Sequence, residues 1–487
     1  MSGTEASKKA FAAKLARLRR DKAPAVETPS PPIVPGPEAG SSAPLQPSST
    51  SSNPKIPIWV RKRLQGGAST RRTKEPASSP SAPSDVPRLM GRPDELQLSS
   101  DNSYWFRRRL YPVQYVHGDW PLQRALDVSN DNFVLLTGDA SLNGLDASKA
   151  VYLDTETTGL SGGAGVFVYM VGLASFTEDG LEVWQGFMDG PEQEASLLQE
   201  VARRIEASGG VVSFFGKSFD RHRLQDKMAV HSIASPFDAL PHLDLYHPLR
   251  RLHRGVYVNS RLQTMEHALC GLVRSDDLPG ALAPEAWFDY LGNRPHRLEG
   301  VFRHNCDDVL SLVTLLAWLA EVDQRAHAPN DLKAEVAREL ALCEALVANR
   351  RYEHALQRSQ PFLQRFGLQE RDASGDDSSP VQSNTEVCAL WWLQAEALRR
   401  LHRGAEAMAS LQPLLDMPGE HAWGARTRIL AAKILEHEQR DLFAAHSMCL
   451  AAIKMLAGLR SFQGRPALER DVQKREKRLA SKQISKN

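Results

Sequence analysis

Paired cysteines are missing from this chain of 487 residues. The five present (Cys270, Cys306, Cys343, Cys388, Cys449) are scattered, odd in number and never spaced as CxxC. That argues against a disulfide framework or a structural zinc site and fits a reducing cytosol. Long apolar runs are also lacking. The longest, near LSLVTLLAWLAEV, falls short of the roughly 20 residues a membrane span needs. No apolar segment follows the charged N-terminus, so no secretory signal is expected. Charge of one sign is scarce too: 60 Lys+Arg against 58 Asp+Glu leave a net +2, which names no partner by itself. The expectation is a soluble cytoplasmic protein without a membrane partner, long enough for two or three domains.

The placement of charge says more than its sum. The first 22 residues, MSGTEASKKAFAAKLARLRRDK, and the tail from Arg465 are basic. Such arms either touch nucleic acid or anionic surfaces, or stay solvated. Residues 23 to about 95 are dominated by Pro, Ser, Ala and Gly, a composition that buries too little apolar surface to order itself, so 1–95 reads as disordered. One island, IPIWVRKRL at 56–64, is either a docking segment or a sticky spot in a linker.

From about Tyr104 the chain becomes globular. AVYLDT (150–155), VFVYMVGLASF (166–176), LEVWQGF (181–187) and VVSFF (211–215) are β-branched and aromatic runs bounded by Gly, Asp and Ser, and read as strands. EQEASLLQEVARRIEA (192–207) has helical apolar spacing, and two further helices follow around SRLQTMEHALCGL and RLEGVFRHNCDDVLSLVTLLAWLAEV. The pattern implies an α/β class, a mixed sheet covered by helices, over about 104–325. Beyond residue 330 strands vanish. LCEALVANRRYEHAL, QAEALRRLHRGAEAM and AAKILEHEQRDLFAA align, each with a basic corner (Arg351, Arg403, Arg440) and an Ala four residues on (Ala355, Ala407, Ala444). These resemble tetratricopeptide-type hairpins over 333–460, against the plainer reading of a helical bundle, with a basic tail at 461–487.

The chemistry concentrates in VYLDTETTGLSGG. Asp154 and Glu156 stand at i and i+2 of a strand, so both point to one face. Two like charges there repel unless a cation or proton lies between them. Hard divalent cations favour oxygen donors, and further donors are at hand. Asp220, in SFFGKSFDRHRL, follows a strand and a turn and opens the next helix, where the plainer role is capping. In HNCDDVLSL, His304 and Asp308 are four apart on a helix and share a face, whereas Asp307 points elsewhere.

In order and context, DTETTGLSGG, SFFGKSFD and HNCDDVLSL resemble the three motifs of the DEDD (DnaQ-like) 3′–5′ exonuclease superfamily, and within it the YprB-type RNase H-like domain. The resemblance covers about residues 104–322 and implies an RNase H-like sheet with a metal-dependent exonuclease site. It makes Asp154, Glu156, Asp220 and Asp308 catalytic carboxylates that hold two divalent ions, Mg2+ or Mn2+. His304 takes the place of the tyrosine or histidine that orients or deprotonates the attacking water. Phe215 stands where related motifs often carry Asn, which puts a polar contact to the substrate in doubt. Asp244 is a further carboxylate at a possible strand end. Candidate nucleic-acid contacts are Thr157, Leu160 and Lys217 beside the motifs, and Arg250, Arg251 and Arg254 in HPLRRLHR, where a solvated basic turn is equally open.

Phosphodiester hydrolysis needs an activated water and a stabilised leaving oxygen, which a metal pair provides. The expected function is therefore hydrolysis of RNA or DNA from a 3′ end, with single-stranded nucleic acid or 3′ ends as the expected partner. The alternatives are an endonuclease of the same fold, or an idle nucleic-acid-binding or scaffold protein working through its helical repeats, which are also the candidate surface for a protein partner.

Overall fold

The computed structural model describes residues 86–159, 166–324, 332–373, 385–417, 421–462 and 464–484. The basic N-terminal arm, the IPIWVRKRL segment and Leu160 lie outside these residues. Residues 86–95, expected to be disordered, are anchored to the domain at a few points. Val86 is buried, Leu89 bridges His296, and the Asp94 carbonyl accepts from Arg107. Their apolar and backbone partners sit far along the chain, where composition gives no hint of them.

Strands β1 (Gln97–Leu98) and β2 (Trp105–Tyr111) open the domain. A short hairpin, β3 (Val116–His117) with β4 (Trp120–Pro121), and helix α1 (Asp131–Thr137) come next. The central strands are β5 (Val151–Thr157), β6 (Val168–Thr177) and β7 (Gly180–Phe187). Then follow α2 (Glu194–Glu206), β8 (Val211–Ser213), α3 (Asp220–Val230), β9 (His242–Asp244) and α4 (Tyr246–Leu252). Helices α5 (Leu262–Cys270), α6 (Ala283–Leu291) and α7 (Leu298–Ala320) complete the α/β part. The seven-stranded sheet runs β1-β2-β7-β6-β5-β8-β9, with antiparallel pairing up to β5 and parallel pairing of β5 with β8 and β8 with β9. This is a mixed sheet flanked by helices. Every residue of β7 is buried, as befits a strand covered on both faces. Among the described residues no helix is long and apolar enough to cross a membrane.

Strand β2 escaped the sequence reading because WFRRRLY looks polar. Arg107 is nevertheless fully buried: it forks onto Glu299 at 2.9 and 2.7 Å and lies 4.3 Å over the Phe302 ring. A planar guanidinium with a matched carboxylate can be buried where a lone charge cannot.

The C-terminal region is helical: α8 (Leu332–Ala348), α9 (Tyr352–Ala373), α10 (Thr385–Arg400), α11 (Gly404–Leu415), α12 (Ala422–Ile434), α13 (Leu442–Gly458) and α14 (Arg465–Ile484). The corners after α8 and α10 and before α13 each hold one left-handed residue: Arg350, His402 and Arg440. Counted from these, the small residue packed at the corner is Ala355, Ala407 and Ala445, all buried. The third unit therefore lies one residue later than the sequence alignment placed it, with Ala445 in the position assigned to Ala444. The basic tail is not a free arm either. Helix α14 buries Val472 and Leu479, and its Arg475, Arg478 and Lys482 all reach the buried Glu436, at 2.7, 2.5 and 3.1 Å. Nor is the division near residue 330 a break in the core. Leu135, Leu136, Leu249 and Leu252 of the α/β part share one apolar cluster with Leu342, Ala345 and Leu346 of α8.

Candidate active site

Three elements bring the four carboxylates together. Asp154 and Glu156 lie on the central strand β5, which ends in a register shift at Glu156/Thr157. Irregularities of this kind re-aim side chains at strand ends. Asp220 is the first residue of α3 and Asp308 lies midway along α7. Asp154 pairs across the sheet with Gly172 of β6. A Cβ on Gly172 would lie 2.3 Å from Asn305 Oδ1, so its absence admits the Asn305 side chain. Asn305, completely buried, donates Nδ2 to Asp154 Oδ2 at 2.8 Å, while Gln185 Nε2 donates to Asn305 Oδ1 at 2.9 Å and fixes the amide orientation. The Thr155 hydroxyl donates to Asp220 Oδ1.

Around Asp308 lies a second set of residues that the sequence did not reveal. Arg274, on the loop after α5, gives Nη2 to Asp308 Oδ1 at 2.6 Å. Its guanidinium also forks onto the buried Glu266, at 2.6 and 2.7 Å, and Glu266 accepts from Ser311 at 2.5 Å. Asp277, from the same loop, meets His304 Nδ1 at 2.8 Å, and His304 Nε2 lies 3.6 Å from Asp308 Oδ2. No local pattern marks Arg274 or Asp277, because their partners are about thirty residues away on another element.

The electrostatics follow from crowding in a buried place. Burial, then the charges of Asp308, Asp220 and Glu156, hold the Asp154 carboxyl well above the usual carboxylate range. Burial likewise pushes Glu156 up to about 8, against the pull of His304 and with help from Asp308 and Asp220. Asp220 rises to about 6, burial outweighing the Thr155 hydrogen bond. Burial would lower His304, but Asp308, Asp277 and Glu156 together raise it to about 10. Without a bound ion His304 is thus held in its protonated form.

The donor set suits a hard divalent cation: Asp154, Glu156, Asp220 and Asp308 are carboxylates, mutually repelling and largely withdrawn from water. Among the described residues, no three His, Cys, Asp or Glu side chains are arranged to hold an ion as they stand. Hydrogen bonds from Asn305, Thr155 and Arg274 each engage one oxygen of Asp154, Asp220 and Asp308.

The other candidates are placed as follows. Thr157 is buried and donates its hydroxyl to the Gly159 carbonyl. Lys217 is half-exposed and pairs with Asp139 at 3.2 Å. Arg250, Arg251 and Arg254 are all exposed, and Arg251 also donates to the Leu136 carbonyl at 2.7 Å and so ties α4 to α1. Asp244 is structural: buried, it accepts the backbone N–H groups of Phe215, Lys217 and Tyr246.

A mixed sheet thus presents acidic side chains from its central strand, with further ones from two helices. Residues 151–320 match the RNase_H_2 family model, described as RNase_H superfamily. The chain is also similar to the protein described as "Uncharacterized protein YprB" from Bacillus subtilis (strain 168), at 28% identity over 293 residues, covering 58% of this chain and 68% of the relative.

Proposed function

We propose that this protein is a metal-dependent nuclease that hydrolyses phosphodiester bonds of RNA or DNA, releasing nucleotides from a 3′ end. The observation that carries this reading is the group of Asp154, Glu156, Asp220 and Asp308, whose carboxyls are withdrawn from water and repel one another. Glu266, Asp277 and Asp308 already share the two cations Arg274 and His304, before Asp154, Glu156 and Asp220 are counted, which leaves the site short of positive charge. Asp154, Glu156, Asp220 and Asp308 would hold Mg2+ or Mn2+ there. Bound divalent ions would supply the charge that activates a water and stabilises the leaving oxygen. Asn305 keeps the Asp154 carboxylate in place, and the Glu266 fork does the same for Arg274. His304 carries its proton between Asp277 and Asp308 and is placed to give it up, or to hold charge, beside the reacting group.

Arg274 favours the competing reading of an idle nucleic-acid-binding module, since its guanidinium already covers one oxygen of Asp308. The deciding experiment is end-labelled single- and double-stranded RNA and DNA incubated with the full chain and Mn2+ or Mg2+. Stepwise shortening from the 3′ end supports the proposal, and internal cuts indicate an endonuclease. No cleavage of any substrate with either ion refutes both.

A further inference from the structure

The turn that leads into Asp220 carries a partly exposed aromatic side chain. Phe215 is 44% exposed, with φ of +62°. A bulky side chain in the left-handed region is a genuine outlier, and such strain gathers at functional sites. The backbone there is held in place: Asp244 Oδ1 accepts the Phe215 N–H at 2.7 Å, and Arg221 N–H reaches the Gly216 carbonyl at 2.9 Å. The turn also abuts the carboxylates, since a Cβ on Gly216 would come within 3.2 Å of Asp220 Oδ2. Asn or Gly would take the same backbone at lower cost. A large apolar ring is therefore kept in water, on a strained residue, five positions before a candidate metal ligand.

Its neighbours are aromatic and basic. The Phe215 ring centroid is 4.9 Å from Tyr246, edge-on, and 6.4 Å from the exposed His247. The guanidinium of exposed Arg250 lies 5.8 Å over Tyr246, and Lys217 stands two residues from Phe215. Exposed rings interleaved with cations form the kind of surface on which unpaired bases stack while their phosphates are neutralised. A base inside a duplex offers no free face to such a ring.

We propose that Phe215 stacks on an unpaired nucleobase of a single-stranded nucleic acid, with Arg250 and Lys217 meeting the adjoining phosphates. This gives the site an aromatic residue that holds the strand. The inference rests on the nuclease reading only in placing the strand beside the carboxylates; the stacking itself is read independently of cleavage.

The test uses the full chain and single-stranded DNA and RNA oligonucleotides whose 3′-terminal base is 2-aminopurine, in chelator so that binding is seen without cleavage. Wild type should quench the probe. Phe215→Asn and Phe215→Gly, which suit the backbone and should melt no lower than wild type, should lose the quench and weaken binding roughly 5- to 150-fold. Phe215→Tyr should restore both, and a duplex of the same sequence should show neither quench nor dependence on residue 215. An unquenched probe with wild type, or quenching and affinity unchanged in Phe215→Asn and Phe215→Gly, overturns the proposal. Cleavage of the same oligonucleotides with Mn2+ is scored separately. Phe215-dependent quenching without cleavage keeps the platform and discards the nuclease reading, and cleavage with Phe215-independent binding does the reverse.

Discussion

Replacing Glu156 by Gln probes the charge crowding directly. In the unfolded chain Glu156 titrates near 4.5, and in the folded protein near 8. Between those values the folded state binds the extra proton, so this group makes stability fall as pH rises from about 4.5 to about 8, with no further change above. At 1.36 kcal/mol per pH unit the full cost of ionising Glu156 in the folded protein reaches about 5 kcal/mol. Glutamine keeps the shape and does not ionise. In metal-free buffer, Glu156→Gln should therefore gain on wild type by up to about 5 kcal/mol between pH 5 and pH 8.5. For a domain of this size that is a relative rise of roughly 10 °C or more in Tm. Asp154, Asp220 and His304 shift in the same direction, so both proteins lose stability with pH, and the difference between their curves reads Glu156 together with its effect on Asp154 and His304. Mn2+ or Mg2+ should narrow the gap, because a ligand at 100-fold its Kd stabilises the folded state by about 2.7 kcal/mol. Calorimetric unfolding of both proteins, with chelator and with metal, is the assay. Parallel curves from pH 5 to 8.5 in chelator would refute the raised Glu156 titration, whose first cause is burial.

Asp154→Asn should abolish cleavage and leave metal-free stability at or above wild type, as read by product gels and melting; retained cleavage would remove Asp154 from the site. Arg274→Met strands the buried Glu266 and Asp308 charges and should cost about 3–5 kcal/mol in denaturant unfolding of the metal-free chain, with Arg274→Lys falling between. His304→Ala should lower turnover by about 10²–10⁴-fold if His304 transfers a proton in the reaction, and unchanged turnover would make it only a partner for Asp277 and Asp308. A fragment of residues 86–330 exposes Leu135, Leu136, Leu249 and Leu252 where α8 covered them, at about 1.5–3 kcal/mol for each side chain fully exposed. It should unfold earlier than residues 86–373, and equal stability would show that the helical region is a separable domain.

What the sequence alone determined about this protein is its local periodicity. Alternation on β5 puts Asp154 and Glu156 on one face, and a helical turn sets His304 beside Asp308. Those relations hold whatever the rest of the chain does, because backbone geometry within one element imposes them. The mixed sheet and helical C-terminus were readable for the same reason. Only the tertiary structure decided which distant groups complete the site. Arg274 and Asp277 reach α7 from a loop whose sequence has no periodicity, and Asn305 reaches Asp154 because Gly172 leaves room on a neighbouring strand. It also decided what burial does to charge. Arg107 turns a basic stretch into a buried strand by meeting Glu299, and Glu436 draws the basic tail into a packed helix. His304 holds its proton because two carboxylates face it at once. A side chain's partner across the fold sets its solvation and its charge, and that partner is chosen by packing that no short window of sequence contains.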